Sequence, residues 1–327
     1  MSDKRIAKPL TRTLVIATVA VMGALGLVKQ EALGAQAPQL TDGFGNGATG
    51  GMGGQEYFVT SLANSGPGTL RAGAQSTIPR QIRFRVSGTI ALTKPILVGS
   101  NKTIDGEGAN VTITTKGLLI TNSRNIIIRN LTFARGEGID TDAIQIAAGA
   151  DTVLVDHCEF SDWMDGLVDI TQGATNVTVS WSYFHDQEKV MLVDPFARKG
   201  LVQVTVHHNR FEGTDARSPK LRTSHVHAYN NYLTGWTGYG MEVGSNGELY
   251  SQANVFEAAN NKQAIRIQGV ENVSVKSDAD LLLNGALVQE RNRHRVFNPG
   301  AYYVWTVDAP DSNLITKILA SAGVSKG

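Results

Sequence analysis

Val153-Leu154-Val155-Asp156-His157-Cys158-Glu159-Phe160 is followed 24 residues later by Val177-Thr178-Val179-Ser180-Trp181-Ser182-Tyr183-Phe184. Val204–Phe211 repeats the pattern again: alternating apolar residues ending in a bulky apolar anchor. Alternation at period two predicts strands. Working outward, Ile126–Phe133, Val226–Leu233 and Leu249–Phe256 match as well. The anchors Phe133, Phe160, Phe184, Phe211, Leu233 and Phe256 are 27, 24, 27, 22 and 23 residues apart. About ten residues after most anchors comes a second short apolar run: Ala143–Ile146, Gly166–Ile170, Val190–Val193, Met241–Val243 and Ala264–Ile267. Such a coil cannot bury its own apolar face, so neighbouring coils must stack. The expected fold is therefore all-β, a single-domain parallel β-helix. Asn209, Asn231 and Asn254, each two residues before an anchor, are expected to bond one another along the stack. A leucine-rich horseshoe has a similar period, but its leucine spacing and helical half-repeat are missing. A two-sheet sandwich should repeat over a shorter interval.

The flanks carry less regular signals. Thr69–Gln75 is a candidate short helix. Ser312–Ala322 has apolar residues at 314, 315, 318 and 319, the spacing of an amphipathic helix packed back on the coil. Residues 38–54 are glycine-rich and read as a segment laid over the core. Lys4, Arg5, Lys8 and Arg12 precede an uncharged run from Thr13 to Val28, and small residues follow. This is the layout of a signal peptide over residues 1–35, with the folded domain at 36–327; a retained anchor is the alternative. Export implies a secreted, extracellular protein, free of the membrane once the leader is removed.

Composition bounds the function. The 327 residues are 42% hydrophobic and 18% charged, as in a globular chain. The net charge is +1, which gives no support to nucleic-acid binding. Without residues 1–35 the count is 25 basic and 27 acidic side chains, a net −2. The single cysteine rules out an internal disulfide.

Counting from the anchors places the polar outliers. Asp142 lies nine residues after Phe133. Asp165 and Asp169 lie five and nine after Phe160. Lys189 lies five after Phe184, and Arg217 six after Phe211, with Arg222 five further on. Equivalent positions on stacked coils are about 4.8 Å apart. The three aspartates should therefore converge, with Asp140 a possible fourth, and Lys189 and Arg217 should follow one and two coils on. Clustered carboxylates repel unless a cation joins them. An oxygen-only donor set favours Ca²⁺ over zinc or copper. Solvated turn aspartates are the plain alternative. A row of calcium, lysine and arginines suits a linear polyanion such as a uronic acid polymer. A cation on a uronate carboxylate acidifies the adjacent carbon, so a nearby base could start a β-elimination.

Four pieces carry a resemblance to a known family: Val155-Asp156-His157-Cys158, Asp165-Gly166-Leu167-Val168-Asp169-Ile170, Lys189-Val190-Met191-Leu192, and Ala216-Arg217-Ser218-Pro219-Lys220-Leu221-Arg222. Gly43-Phe44-Gly45 and Thr49-Gly50-Gly51 add to it. In this order and spacing the chain resembles polysaccharide lyase family 1, the pectate lyases, from about Asp42 to Gly269. The resemblance implies a right-handed β-helix acting on polygalacturonate (pectate). It implies Ca²⁺ held by Asp142, Asp165 and Asp169 with Asp140 as accessory, Arg217 as the base, and Lys189 and Arg222 on substrate carboxylates. Asp156 and His157 match a structural motif. The chain departs from the family in having Asp165 where some members have Glu, and Leu154 where many have Trp. Guanidinium groups hold their proton tightly, so an alkaline optimum is expected. The protein is expected to act as a monomer.

Three rival readings stay open: a pectin lyase, which would lack the acidic cluster; a hydrolase, which would need two carboxylates flanking a water; and a calcium-dependent polyuronate-binding module, which would have no use for Arg217. His207, His208, His225 and His227 cluster in sequence but belong to strands rather than a metal site. Trp236 and Tyr239 are either packing residues or sugar-stacking ones. Glu242, nine residues after its anchor, is a candidate substrate contact.

Overall fold

Each complete coil among the described residues is three short strands, and each strand pairs with its equivalent one coil away. In the coil quoted first these are Asp151–Asp156, Glu159–Ser161 and Val168–Thr171. The computed structural model describes, besides Met1, residues 41–138, 141–196, 200–269 and 271–324. The expected signal peptide lies outside these residues. Three parallel sheets of ten, nine and nine strands run the length of the stack. The first runs from Gln55–Val59 to Ser274–Asp278. The second runs from Ile96–Leu97 to Leu287–Val288, and the third from Gly88–Ala91 to Leu281–Leu283. The fold is thus the expected parallel β-solenoid. In the first sheet the stack begins with Gln55–Val59, Arg80–Phe84 and Lys102–Asp105, ahead of the first repeat read from the sequence at Ile126–Phe133.

The anchors stack inside. Phe133, Phe160, Phe184 and Phe211 are essentially unexposed, with successive ring centroids 5.0, 4.9 and 4.9 Å apart. Stacked rings bury large apolar area and add a specific geometry. Between the first and third sheets the chain bends through one residue of left-handed backbone: His157, Trp181, His208, Asn230 and Ala253 have φ near +50°. The next residue points inward. Asn209 Nδ2 donates to Asn231 Oδ1 at 3.0 Å, and Asn231 Nδ2 to Asn254 Oδ1 at 2.9 Å, all three fully buried. Asn254 in turn donates its backbone N–H to Asp280 Oδ1 at 2.8 Å. This ladder satisfies polar groups that burial would otherwise penalise.

The glycine-rich 42–54 segment lies flat across the first sheet. Phe44 N donates to Thr205 Oγ1, Gly45 N to Thr178 Oγ1, Gly50 N to Asn125 Oδ1 and Gly51 N to Thr103 Oγ1, at 2.8–3.1 Å. Glycine is needed for the close approach: a Cβ on Gly51 would stand 1.8 Å from the Arg80 carbonyl oxygen. Leu70–Ala74 is a short helix capped by Thr69. Ser312–Ser321 is an amphipathic helix, and its Leu314 and Ile318 pack on Tyr232 and Val255. Leu319, expected on its apolar face, is exposed.

Candidate active site

The outward face of the second sheet carries one continuous row of side chains. Strand pairing sets Gln145 beside Asp169, Leu192 beside Lys220, Lys220 beside Glu242 and Glu242 beside Arg266. The link from Asp169 to Leu192 is a hydrogen bond, Leu192 N to Asp169 Oδ1 at 2.9 Å. The register departs from the anchor count by a residue at several coils and by three at one. Phe133 pairs with Phe160, 27 residues on, but Ile144 pairs with Val168, only 24 on. Three extra residues therefore lie between Phe133 and Ile144. Asp142 is not opposite Asp169; its Oδ1 accepts from Gly166 N at 2.9 Å.

The aspartates converge all the same, because Gly166 leaves room. A Cβ there would lie 2.4 Å from Asp169 Oδ1 and 2.8 Å from Asp142 Oδ1. One cavity of about 350 Å³ is lined by Asp142, Asp165, Asp169, Lys189 and Arg217, with Gln145, Leu192 and Phe196 among the others. Lys189 Nζ is 3.3 Å from Asp165 Oδ1. Lys189 pairs with Ala216 on the following coil, so Arg217 comes next to it. Arg217 sits on left-handed backbone (φ 66°), and its carbonyl accepts from Met191 N at 2.7 Å. Arg222 lies outside this lining, with Nη1 3.2 Å from Asp194 Oδ2. Asp140 falls outside the described residues.

Gln187 is a site residue that the sequence did not disclose. Its side-chain nitrogen donates to the carbonyls of Trp163, Asp165 and Lys189 at 3.0, 2.7 and 3.1 Å, while its oxygen accepts from Trp163 N at 2.8 Å. One buried amide thus fixes the turn holding Asp165 and the backbone of Lys189. Nothing in local spacing signals such a bridge.

The electrostatics are strained. Burial, and then the charge of Asp165, pushes the Asp142 carboxyl up to about 7 despite the Gly166 hydrogen bond and the nearby Arg217 and Lys189. Burial, and then Asp142, pushes Asp169 well above the usual carboxylate range. These groups are in excess of what their neighbours neutralise. A proton or a hard cation relieves such a site. As the side chains stand, no three described His, Cys, Asp or Glu residues surround one point closely enough to hold a metal ion. The donor type and the excess negative charge are those that suit an oxygen-loving dication.

Other sequence candidates resolve into packing. Trp236 is fully buried against Phe256. Tyr239 is buried under the Arg266 guanidinium, 3.7 Å from ring centroid to carbon. Glu242 does share the row of Asp169 but is fully buried between Lys220 (Nζ 2.6 Å) and Arg266. His207 and His227 lie in strands of the first sheet, in contact with Thr41 and Tyr303 respectively.

Comparison with known proteins bears on this geometry. The model of the pectate lyase family matches residues 72–326. The chain is 31% identical over 315 residues to probable pectate lyase 13 of Arabidopsis thaliana, covering 87% of this chain and 62% of that protein. It is 32% identical over 337 residues to probable pectate lyase 18 of Solanum lycopersicum, covering 91% and 83%. Among solved structures it is similar to the major allergen from cedar pollen, with TM-score 0.78, 29% identity, and 88% and 93% of the two chains covered. It also shares its fold with a pectate lyase bound to a hexasaccharide (TM-score 0.73, 20% identity, 87% and 96% covered). With a family model spanning most of its length, and relatives above 30% identity, this chain belongs to the pectate lyase family.

Proposed function

We propose that the chain is a secreted, calcium-dependent pectate lyase. It would cleave α-1,4-linked polygalacturonate by β-elimination, leaving 4,5-unsaturated oligogalacturonides, after residues 1–35 have directed its export. The observation that carries this reading is the shared cavity: three aspartates in excess of their neutralising partners, with Lys189 and Arg217 on the coils beside them. Asp142, Asp165 and Asp169 would hold the ion, with Asp140 as accessory. Bound there, calcium supplies a Lewis-acid field that acidifies the C5 proton beside a uronate carboxylate.

The residues of this chain divide the remaining work. Arg217 takes the C5 proton. The electron pair it leaves forms the C4–C5 double bond, and the C4–oxygen bond to the next sugar breaks, its pair departing on that oxygen, which takes a proton from water. Lys189 sets its ammonium against the charge that develops on the carboxylate side. Arg222 presents a half-exposed guanidinium, already oriented by Asp194, to another substrate carboxylate. The open face of the second sheet supports a linear substrate running along the stack, and a protein of the same fold has been solved with a hexasaccharide.

The test is ultraviolet absorbance of the conjugated product on polygalacturonate, with and without chelator. Growth of absorbance that chelator abolishes and calcium restores is expected. New reducing ends without absorbance would mean hydrolysis, and full activity on highly esterified pectin in chelator would mean a metal-free pectin lyase.

A further inference from the structure

The row of Asp169 does not end at the cavity. Lys220, Glu242 and Arg266 continue it over three successive coils. Glu242 has no exposed surface although it sits on the outward face of its strand. Burying a lone carboxylate is costly, and here two cations cover it. Lys220 Nζ lies at 2.6 Å and also donates to Gln268 Oε1 at 3.0 Å; Arg266 donates its Nε. The trio keeps one net positive charge. Arg266 is also held from below by the face of Tyr239. More than a third of the Arg266 side chain stays open to solvent, against 12% for Lys220. An arginine fixed on one edge by a carboxylate and on one face by a ring has little freedom left to lose when it takes a ligand. Tyr239 ties this group to the cavity: burial pushes its hydroxyl up to about 12, and the charges of both Arg266 and Arg217 act on it in the opposite direction.

Resting on the polyuronate reading above, we infer that Arg266, set by Glu242 and Tyr239 with Lys220 beside it, is a further carboxylate-binding subsite of the groove. It takes an acidic sugar unit about two coils, roughly 10 Å, beyond Arg217. A sugar unit is about as long as one coil is thick, so a polymer lying along the stack brings a carboxylate to Arg266 only when it is long enough. The subsite therefore selects for chain length and for unesterified uronate at that distance.

The test is calorimetric binding of tri- and hexagalacturonate with calcium present, on an Arg217→Ala background that prevents turnover. Without the Arg266 substitution the hexamer binds more tightly than the trimer. Arg266→Ala is expected to lower the hexamer-to-trimer affinity ratio about tenfold, the lower end of the scale of one charge-assisted contact. Arg266→Lys should restore part of it, and added salt should shrink the difference. An unchanged ratio alongside a lowered Tm would show that the trio only ties coils together, and would overturn the inference. So would absence of binding by either oligomer. A retained length effect, together with no unsaturated product from the protein that keeps Arg217, would sink the lyase reading and leave this subsite standing.

Discussion

Two faces of this solenoid carry clustered titratable side chains, and they differ in whether those groups are satisfied. On the outer face of the first sheet every ring nitrogen of three histidines has a partner. His207 meets Thr41 Oγ1 at 2.8 Å and His208 Nδ1 at 2.9 Å; His208 reaches Asp308 at 3.1 Å; His227 reaches Tyr303 at 2.8 Å and Gln252 at 3.3 Å. Rings stack along the coils, Trp181 on His208 at 4.4 Å and His207 on Tyr229 at 4.8 Å. Burial holds these imidazoles neutral, His208 down to about 4 and His227 to about 3. On the second sheet the aspartates are pushed the other way, toward protonation, because their partners do not suffice. Clustering is thus a poor guide to chemistry; charge left uncompensated in an open cavity is a better one.

Substitutions on each face should separate these roles. Arg217→Ala is expected to lower product formation roughly a thousandfold, the scale of a positioned proton acceptor, while polygalacturonate binding survives; unchanged product would remove Arg217 from the mechanism. Gly166→Ala places a methyl between Asp142 and Asp169 and should cost on the order of a hundredfold in product, with loss of calcium-induced stabilisation. Calcium titrations followed by Tm would reveal a cavity that tolerates the methyl. Gln187→Ala frees the turns of Asp165 and Lys189, so activity should fall about tenfold through kcat and calcium affinity. Equal losses in every folded-state readout would make Gln187 merely structural. On the histidine face, Lys317→Ala removes a half-exposed contact to Asp308 and Trp181. It should cost below about 1 kcal/mol and leave product formation unchanged, as Tm and rate together would show.

The stack was legible because its physics is repetitive: alternation sets each strand, and a phenylalanine on each of four coils marks the register. The asparagine ladder followed from the same count. Legibility failed where the repeat is interrupted. Three residues inserted between Phe133 and Ile144 moved Asp142 off the row of Asp169, and counting from an anchor cannot see on which side of a strand an insertion falls. Gln187 was invisible because an amide bridging three carbonyls leaves no periodic trace. Glu242 looked like a substrate contact by register, yet Lys220 and Arg266 on the neighbouring coils enclose it; that enclosure depends on side chains one coil away in each direction. Arg222, a site residue by its motif, stands beside the cavity lining with its guanidinium paired to Asp194 and partly exposed, a placement that a motif alone does not give.

The pH response separates the two faces directly. Histidines held below their ordinary range stabilise the fold above that range and lose this as pH falls through about 4 and 3. Asp142, held above its ordinary range, stabilises the metal-free fold at low pH and loses this as pH rises through about 7; Asp169 is shifted in the same direction. Only the second effect should respond to calcium, because a cation displaces the proton that burial favours on Asp142 near pH 6. The decisive measurement is calcium titration by calorimetry near pH 6 in buffers of different ionisation enthalpy. The account predicts binding with release of about one proton or more per ion, and little proton release well above pH 7. Calcium binding without proton release near pH 6, or no calcium binding at either pH, would contradict it.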